Sequence, residues 1–166
     1  SDDVDEMEKM LNEYLQFAST SARDKTEIFD LSELLENVIN KYENPNILKD
    51  FDKKIYFNGR KNLIQRCINN LIDNSLKYGK KINILIDKQK SNIVISIEDD
   101  GPGIPKSEYE NVVKPFYKID KSRSETKSSV GLGLSISSDI AKSHGGDIDF
   151  EKSNLGGLKV KIILPV

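Results

Sequence analysis

Two acidic residues followed by alternating glycines form the segment of this chain with the most specific chemical potential. Asp99 and Asp100 close the apolar run 93–97 and lead into Gly101-Pro102-Gly103. A carboxylate at the end of a buried strand loses its hydration unless a donor replaces the water, and the exocyclic amine of adenine is one suitable donor. The glycines let a flat ring approach the backbone closely. For this segment alone, an ordinary tight turn after a strand is the competing interpretation.

A second group of polar residues lies along one stripe of a predicted helix. Between residues 63 and 78, apolar residues recur at the spacing of an amphipathic helix. At about 100° per residue, Asn70, Asn74 and Lys77 fall together beside the apolar face. Amide oxygens could ligate Mg²⁺, which takes substrate phosphates and waters as further ligands, while Lys77 could neutralise phosphate charge. The alternative interpretation is the solvated edge of a surface helix.

Glycines also open a predicted helix that runs to His144. Gly131 and Gly133 keep the free backbone N–H groups at the helix start accessible, and such groups bind anions. The pattern is not the dinucleotide fingerprint, because position 136 is Ile and no strand precedes the helix. No Gly-Lys-Ser or Gly-Lys-Thr occurs in the chain, which excludes a Walker P-loop.

In this order, the motifs resemble those of the catalytic and ATP-binding domain of sensor histidine kinases. These kinases belong to the GHKL ATP-binding superfamily, together with Hsp90, MutL and type II topoisomerases. Segment 70–78 resembles the N box, 99–103 the G1 box, 115–118 the F box and 131–134 the G2 box. The resemblance is to EnvZ-like kinases and covers essentially the whole chain.

The resemblance implies a role for each matched residue. Asn74 would ligate Mg²⁺, Asp99 would accept a hydrogen bond from the adenine amine, and Arg123 would contact the γ-phosphate. The implied catalytic residues are Asn70, Lys77 and Arg123. The implied nucleotide-binding residues are Asn70, Asn74, Lys77, Tyr78, Asp99, Gly101, Gly103, Ile104, Tyr117, Lys118, Ile119, Val130, Gly131, Leu132, Gly133 and Leu134. The implied cofactors are ATP and Mg²⁺.

The G2 box departs from the usual Gly-Thr-Gly-Leu-Gly pattern of the family. Ser129 and Val130 stand in its first two places, which adds a Cβ atom and removes a hydroxyl. Three alternatives stay open: a GHKL ATPase, an anti-sigma-type serine kinase, and a degenerate dimerising signalling module that binds ATP poorly. The stretch 120–129 before this box lacks apolar residues and is expected to be an ATP lid or a disordered surface loop.

The elements that would position these residues fit an α/β (α+β) two-layer sandwich. Strands are predicted near 54–58, 82–87, 92–98, 147–152 and 158–164, with 88–91 as a hairpin turn. Residues 30–33 resemble a capping box that opens a further helix. Helices are expected on one face of a mixed sheet of the GHKL, or Bergerat, type.

A long helix with a heptad pattern precedes this domain. The stretch 19–27 is polar and is expected to form a linker. By resemblance, residues 1–23 would be the second helix of a dimerisation and phosphotransfer hairpin, 24–29 a linker, and 30–166 the catalytic and ATP-binding domain. The helix needs a partner for its apolar seam. This heptad seam consists of Val4, Met7, Leu11, Tyr14 and Ala18.

The resemblance implies transfer of the γ-phosphoryl group of ATP to a histidine on a partner helix, for relay to an aspartate of a response regulator receiver domain. His144 is the only histidine, and its place at a helix end before Gly145 predicts a structural role. The acceptor helix is therefore expected to lie outside this chain. The chain begins at Ser1 without Met and is expected to be a fragment of a longer, homodimeric protein.

Composition limits the remaining possibilities. The 166 residues fit one domain of ordinary size plus an appendage, and a net charge of −2 argues against a nucleic-acid partner. Cys67 is the only cysteine and lies on an apolar helix face, which predicts a buried, inert thiol. The chain has no signal sequence and no apolar run of about 18 residues, so this part is not expected to enter a membrane. The resemblance implies a cytoplasmic part of an inner-membrane sensor kinase.

Overall fold

The computed structural model of the chain describes residues 2–117 and 132–166, with side chains from residue 4 onward in the first range. Several residues to which the resemblance assigns nucleotide contacts lie outside the described residues, as does the expected lid. These are Lys118, Ile119, Arg123, Val130 and Gly131.

The described residues form four α-helices and seven strands. The helices are α1 (Asp2–Arg23), α2 (Leu31–Lys41), α3 (Lys61–Tyr78) and α4 (Gly133–Ser143). The strands are β1 (Thr26–Asp30), β2 (Ile47–Asp50), β3 (Tyr56–Arg60), β4 (Ile82–Lys88), β5 (Asn92–Asp99), β6 (Asp147–Lys152) and β7 (Leu158–Pro165). A short 3₁₀ helix covers Lys106–Glu108. None of the described helices is both long and apolar enough to cross a bilayer.

Five of the strands form one mixed sheet in the order β2-β4-β5-β7-β6. β2 runs parallel to β4, and the other neighbouring pairs are antiparallel. β1 and β3 pair separately as an antiparallel ribbon. Helices α3 and α4 pack on one face of the large sheet and against each other. This arrangement confirms the predicted two-layer sandwich.

The alternation of buried and more exposed residues along the strands shows which face of the sheet is buried. In β7, every second residue from Leu158 to Leu164 is buried, and in β4 Ile82, Ile84 and Ile86 are buried likewise. The apolar face of α3 lies against them, with Leu63, Ile68 and Leu71 almost fully buried. Burying each such side chain stabilises the fold by about 1.5–3 kcal/mol.

The predicted linker over 19–27 is wrong. α1 continues to Arg23, and β1 begins at Thr26 and pairs with β3. Strand β2 also lies outside the predicted strands. Both strands bury a single side chain, Phe29 in β1 and Ile47 in β2, so backbone pairing rather than an alternating apolar pattern holds them in place.

Helix α1 packs on α3 through a different face from its heptad seam. Met10 is buried and Phe17 is partly buried against the core. Four seam residues are instead 54–68% exposed, namely Val4, Met7, Leu11 and Tyr14. The apolar seam is therefore directed away from the domain that α1 contacts.

Asp24 fixes the end of α1 to the start of α3. Its carboxylate accepts hydrogen bonds from the backbone N–H of Leu63 at 2.9 Å and from the amide of Asn62 at 3.1 Å. The N-cap of α3, Arg60, makes no side-chain capping bond. A carboxylate from another element thus satisfies the free N–H groups and the positive dipole of the helix start.

His144 has the structural role that the sequence predicts. Its Nε2 accepts a hydrogen bond from the backbone N–H of Arg60 at 3.0 Å, and Nδ1 donates to the carbonyl of Ile140 at 2.8 Å. Its ring lies 5.8 Å from that of Phe57, centroid to centroid. The next residue, Gly145, ends the helix with φ +79°. The imidazole therefore joins the end of α4 to β3.

Candidate nucleotide-binding site

Asp99 is the last residue of β5 and is only 3% exposed. Its Oδ1 accepts hydrogen bonds from the backbone N–H groups of Gly101 at 2.9 Å and Leu158 at 3.2 Å. Its own carbonyl accepts from Gly157 at 3.0 Å. Two backbone N–H groups thus hold the buried carboxylate in one orientation and a third holds the main chain of Asp99, which is the requirement for a specific acceptor.

Glycines surround Asp99 because neighbouring backbone approaches it too closely for side chains. A Cβ atom on Gly157 would lie 2.1 Å from Oδ1 of Asp99, and one on Gly79 would lie 2.9 Å from its Cβ. A Cβ on Gly101 would lie 2.7 Å from the carbonyl oxygen of Tyr78. The end of α3, the G1 loop and the start of β7 therefore meet at this carboxylate.

Asp100 has a different role from Asp99. Its Oδ1 accepts from the backbone N–H groups of Lys80 at 2.7 Å and Lys81 at 3.0 Å. These bonds, that of Lys81 first, hold the pKa of the Asp100 carboxyl below its usual range. Asp100 organises the turn before β4, which leaves Asp99 as the carboxylate directed into the fold.

A cleft of about 640 Å³ lies between the G1 loop and the β6–β7 turn. Gly103 and Ile104 line one side, and Gly156 and Gly157 line the other. Gly103 has φ +74°, a conformation that favours glycine. Two of the predicted base-pocket residues therefore border open space beside Asp99.

The N-box residues follow one edge of α3, as the helical spacing predicts. Asn70, Asn74 and Lys77 are half-buried, and Tyr78 is 41% exposed at the helix end beside Gly101. The Nδ2 atom of Asn70 is buried and has no hydrogen-bond partner among residues 2–117 and 132–166. A buried donor without a partner costs stability, and a bound acceptor group would remove that cost.

The start of α4 lies against the N-box helix. A Cβ atom on Gly133 would be 3.9 Å from that of Asn70. Further along, Ser137 donates to the carbonyl of Cys67 at 3.2 Å, and burial raises the pKa of the Cys67 thiol to about 12. This confirms the predicted inert thiol. Of the other G2 residues, Leu132 is buried and Leu134 is half-buried.

The F box ends the first described range. Phe116 has φ +64° and is 62% exposed, a strained conformation for an aromatic residue. The hydroxyl of Tyr117 donates to Glu108, and this bond raises the pKa of the phenol. Tyr117, predicted to border the lid, is thus held by the 3₁₀ helix that follows the G1 loop.

Most of the predicted site residues that the structure describes lie in two groups. Tyr78, Asp99 and Gly101 meet at the end of α3, with Gly103 and Ile104 on the adjoining cleft. Asn70 and Gly133 meet where α3 and α4 touch. Asn74 and Lys77 lie on α3 between these groups, since they follow Asn70 by one and two turns.

Gly157 is the site residue that motif spacing does not identify. Its contact with Asp99 depends on the register of β5 with β7, in which Glu98 pairs with Lys159. The sequence signal is the pair Gly156-Gly157 immediately before an alternating strand. This pair indicates a turn, and only the topology shows which buried residue the turn approaches.

The polar residues of α3 fit a magnesium ion that is held partly by its ligand. Among residues 2–117 and 132–166, no three His, Cys, Asp or Glu side chains lie close enough to hold a metal. Mg²⁺ usually retains waters and substrate phosphates and takes only one or two protein ligands. The amide oxygen of Asn74 suits that arrangement, because a phosphate chain would complete the coordination.

Comparison with known proteins agrees with this geometry. Residues 59–166 match the family described as histidine kinase-, DNA gyrase B- and HSP90-like ATPases. The sensor histidine kinase GtrS of Pseudomonas aeruginosa is 31% identical over 165 residues, which are 98% of this chain and 34% of that protein. The chain thus spans about one third of the length of this relative.

Solved structures share the fold. The ATP-binding domain of PrrB from Mycobacterium tuberculosis superposes with a TM-score of 0.70 at 23% identity, over 86% of this chain and 98% of that one. The histidine kinase domain of the Escherichia coli osmosensor EnvZ gives a TM-score of 0.64 at 30% identity, over 84% and 88% of the two chains. The chain therefore belongs to the histidine kinase-, DNA gyrase B- and HSP90-like ATPase family, with sensor histidine kinases among its homologues.

Proposed function

We propose that this chain is the catalytic and ATP-binding part of a sensor histidine kinase. It transfers the γ-phosphoryl group of ATP to a histidine on a separate helix, for relay to an aspartate of a response regulator receiver domain. The observation that carries the proposal is Asp99, a buried carboxylate fixed by backbone bonds beside the N-box helix. Its Oδ2 is the atom that we assign to the adenine amine.

The remaining roles follow from position in the fold. Asn74 ligates Mg²⁺, while Asn70 and Lys77 contact the phosphates from the same edge of α3. The free N–H groups at the start of α4 bind phosphate next to Asn70. Phosphoryl transfer depends on such positioning and charge neutralisation more than on covalent chemistry by the protein. Arg123 contributes a cation from outside the described residues.

The exposed seam of α1 supports the proposed partners. An apolar heptad seam stabilises a helix only when another helix covers it, so we assign residues 1–23 to a hairpin that forms a homodimer in the full protein. Residues 30–166 are then the catalytic domain, and of the preceding stretch 24–29, residues 26–29 already belong to strand β1, which pairs with β3 of that domain. Because ATP and receiver domains are found in the cytoplasm, we place this part of the sensor there.

Transfer to a supplied helical hairpin tests the function. The chain is incubated with Mg²⁺ and γ-labelled ATP, with and without a hairpin that carries an acceptor histidine. We expect acid-labile label on the hairpin and none on the chain alone, because His144 uses both ring nitrogens in hydrogen bonds. Hydrolysis without transfer would support a GHKL ATPase, and absence of nucleotide binding would support the degenerate signalling module.

A further inference from the structure

A polar cavity of about 270 Å³ lies between α1 and α3, beside Asn70 at the start of the N box. No apolar side chain lines it. Its lining residues are Thr20, Asn62, Gln65, Arg66, Asn69 and Asn70. A cavity of this size is large enough for several waters or for one tetrahedral anion.

Two buried donors in this cavity lack partners within the described part of the chain. They are Nε of Arg66 and Nδ2 of Asn70, four residues apart and therefore adjacent on α3. Both groups carry hydrogens and can only donate, so the ligand that satisfies them must supply acceptor oxygens. The positive charge of Arg66 favours an anion over a neutral acceptor, because charge-assisted hydrogen bonds are the stronger kind.

One carboxylate of α1, that of Glu13, interacts electrostatically with Arg66. Glu13 is half-buried, and burial raises its pKa, while the charges of Arg66, Lys9 and Lys77 oppose that increase. Asp73 on α3 adds a repulsive charge. The charge of Arg66 thus acts on a partly desolvated anion of α1, the helix that packs on this edge of α3.

From this geometry we infer that Arg66 binds the terminal phosphoryl group of ATP together with Asn70, through the two buried donors of this cavity. The inference rests on the proposed function, because Asn74, Lys77 and the α4 start hold the rest of the triphosphate. It adds a cation to the described part of the site.

The inference is tested by comparing a non-hydrolysable ATP analogue with ADP. Calorimetric dissociation constants are measured with Mg²⁺ for the parent chain and for Arg66→Gln. We expect the analogue to bind at least about tenfold more weakly in the variant and ADP to change less than about twofold, since only the analogue has a γ-phosphoryl group. Retained ADP binding also shows that the variant is folded.

Two further variants sharpen the experiment. Lys61→Gln removes the same charge from an exposed position of the same helix and should change neither constant. Glu13→Gln removes a negative charge that interacts with Arg66 and should tighten the analogue about threefold without changing ADP. Arg66→Gln with equal losses for both nucleotides, or with no loss, would overturn the inference, as would weaker analogue binding by Glu13→Gln. If the parent bound neither nucleotide, the proposed function itself would be wrong.

Discussion

The two ends of the candidate site differ in whether backbone groups or side chains form them. At the base end, formed by Asp99, Gly101 and Gly157, all the hydrogen bonds described come from the backbone and the packing leaves no space for side chains. At the proposed phosphate end, formed by Arg66, Asn70 and Gly133, side-chain donors are buried without partners among the residues that the structure describes. The base end is complete in the protein alone, whereas the phosphate end requires ligand atoms. Stability and nucleotide affinity should therefore respond differently at the two ends.

The largest effect is expected from Gly157→Ala at the base end. The new Cβ would lie 2.1 Å from Oδ1 and 2.6 Å from the carbonyl oxygen of Asp99, both of which are held in the sheet. Such overpacking should lower the free energy of unfolding by about 3 kcal/mol and displace the carboxylate. Denaturant unfolding and ATP titration on the same sample measure both effects.

A destabilised control separates these two effects. His144→Ala removes the acceptor for the Arg60 N–H and should cost about 1–3 kcal/mol of stability, far from the nucleotide. Under conditions where both variants are folded, His144→Ala should bind ATP like the parent and Gly157→Ala should not. Parental ATP affinity in Gly157→Ala would show that the base end is not where adenine binds.

Asp99→Asn is expected to change base selectivity with little effect on folding. The substitution keeps the shape of the side chain, and its oxygen can still accept from Gly101 and Leu158. The atom proposed to face adenine becomes a donor, which opposes the adenine amine and suits the carbonyl of guanine. ATP should bind about 1.5–3 kcal/mol more weakly.

The measurement is the ratio of ATP to GTP dissociation constants. We expect this ratio to rise in the variant, while the melting temperature stays close to that of the parent. Unchanged ATP affinity in a folded Asp99→Asn protein would disprove the assignment of Asp99 to the base.

The difference between local apolar spacing and contacts between distant elements explains which features the sequence predicts well. Strands β4, β5 and β7 and helix α3 follow from alternating or helical apolar spacing, and Asp99 follows from its place at the end of such a strand. Strands β1 and β2 bury one side chain each and carry no periodic signal. The contacts of Gly157, Asp24 and Arg66 cross between elements distant in the chain, so local spacing rules do not identify them.

Asn74→Ala should produce a smaller effect that depends on the metal. Asn74 is half-buried on the edge of α3, so its loss should leave the fold intact. If its amide ligates Mg²⁺, Mg·ATP should bind at least about tenfold more weakly, since even indirect partners of a metal contribute that much. Metal-free ATP should bind as in the parent. Equal losses of ATP affinity with and without Mg²⁺, measured by calorimetry, would show that Asn74 does not ligate the metal.

The smallest change in stability is expected from Gly133→Ala. This variant tests the proposed phosphate end of the site. In contrast to Gly157, the nearest atom that a new Cβ would meet among the described residues is the Cβ of Asn70, at an ordinary 3.9 Å. Gly133 is also the first residue of α4, where alanine favours the helix by up to about 1 kcal/mol. Packing in the described structure therefore gives no reason for a glycine here. A bound phosphate does give a reason, because a Cβ at a helix start obstructs the N–H groups that bind the phosphate.

The Gly133→Ala variant should unfold at the same or a higher denaturant concentration than the parent, bind ATP more weakly and bind adenosine equally well. If ATP and adenosine were affected alike, the α4 start would not be the phosphate-binding end, whatever the outcome at Asp99.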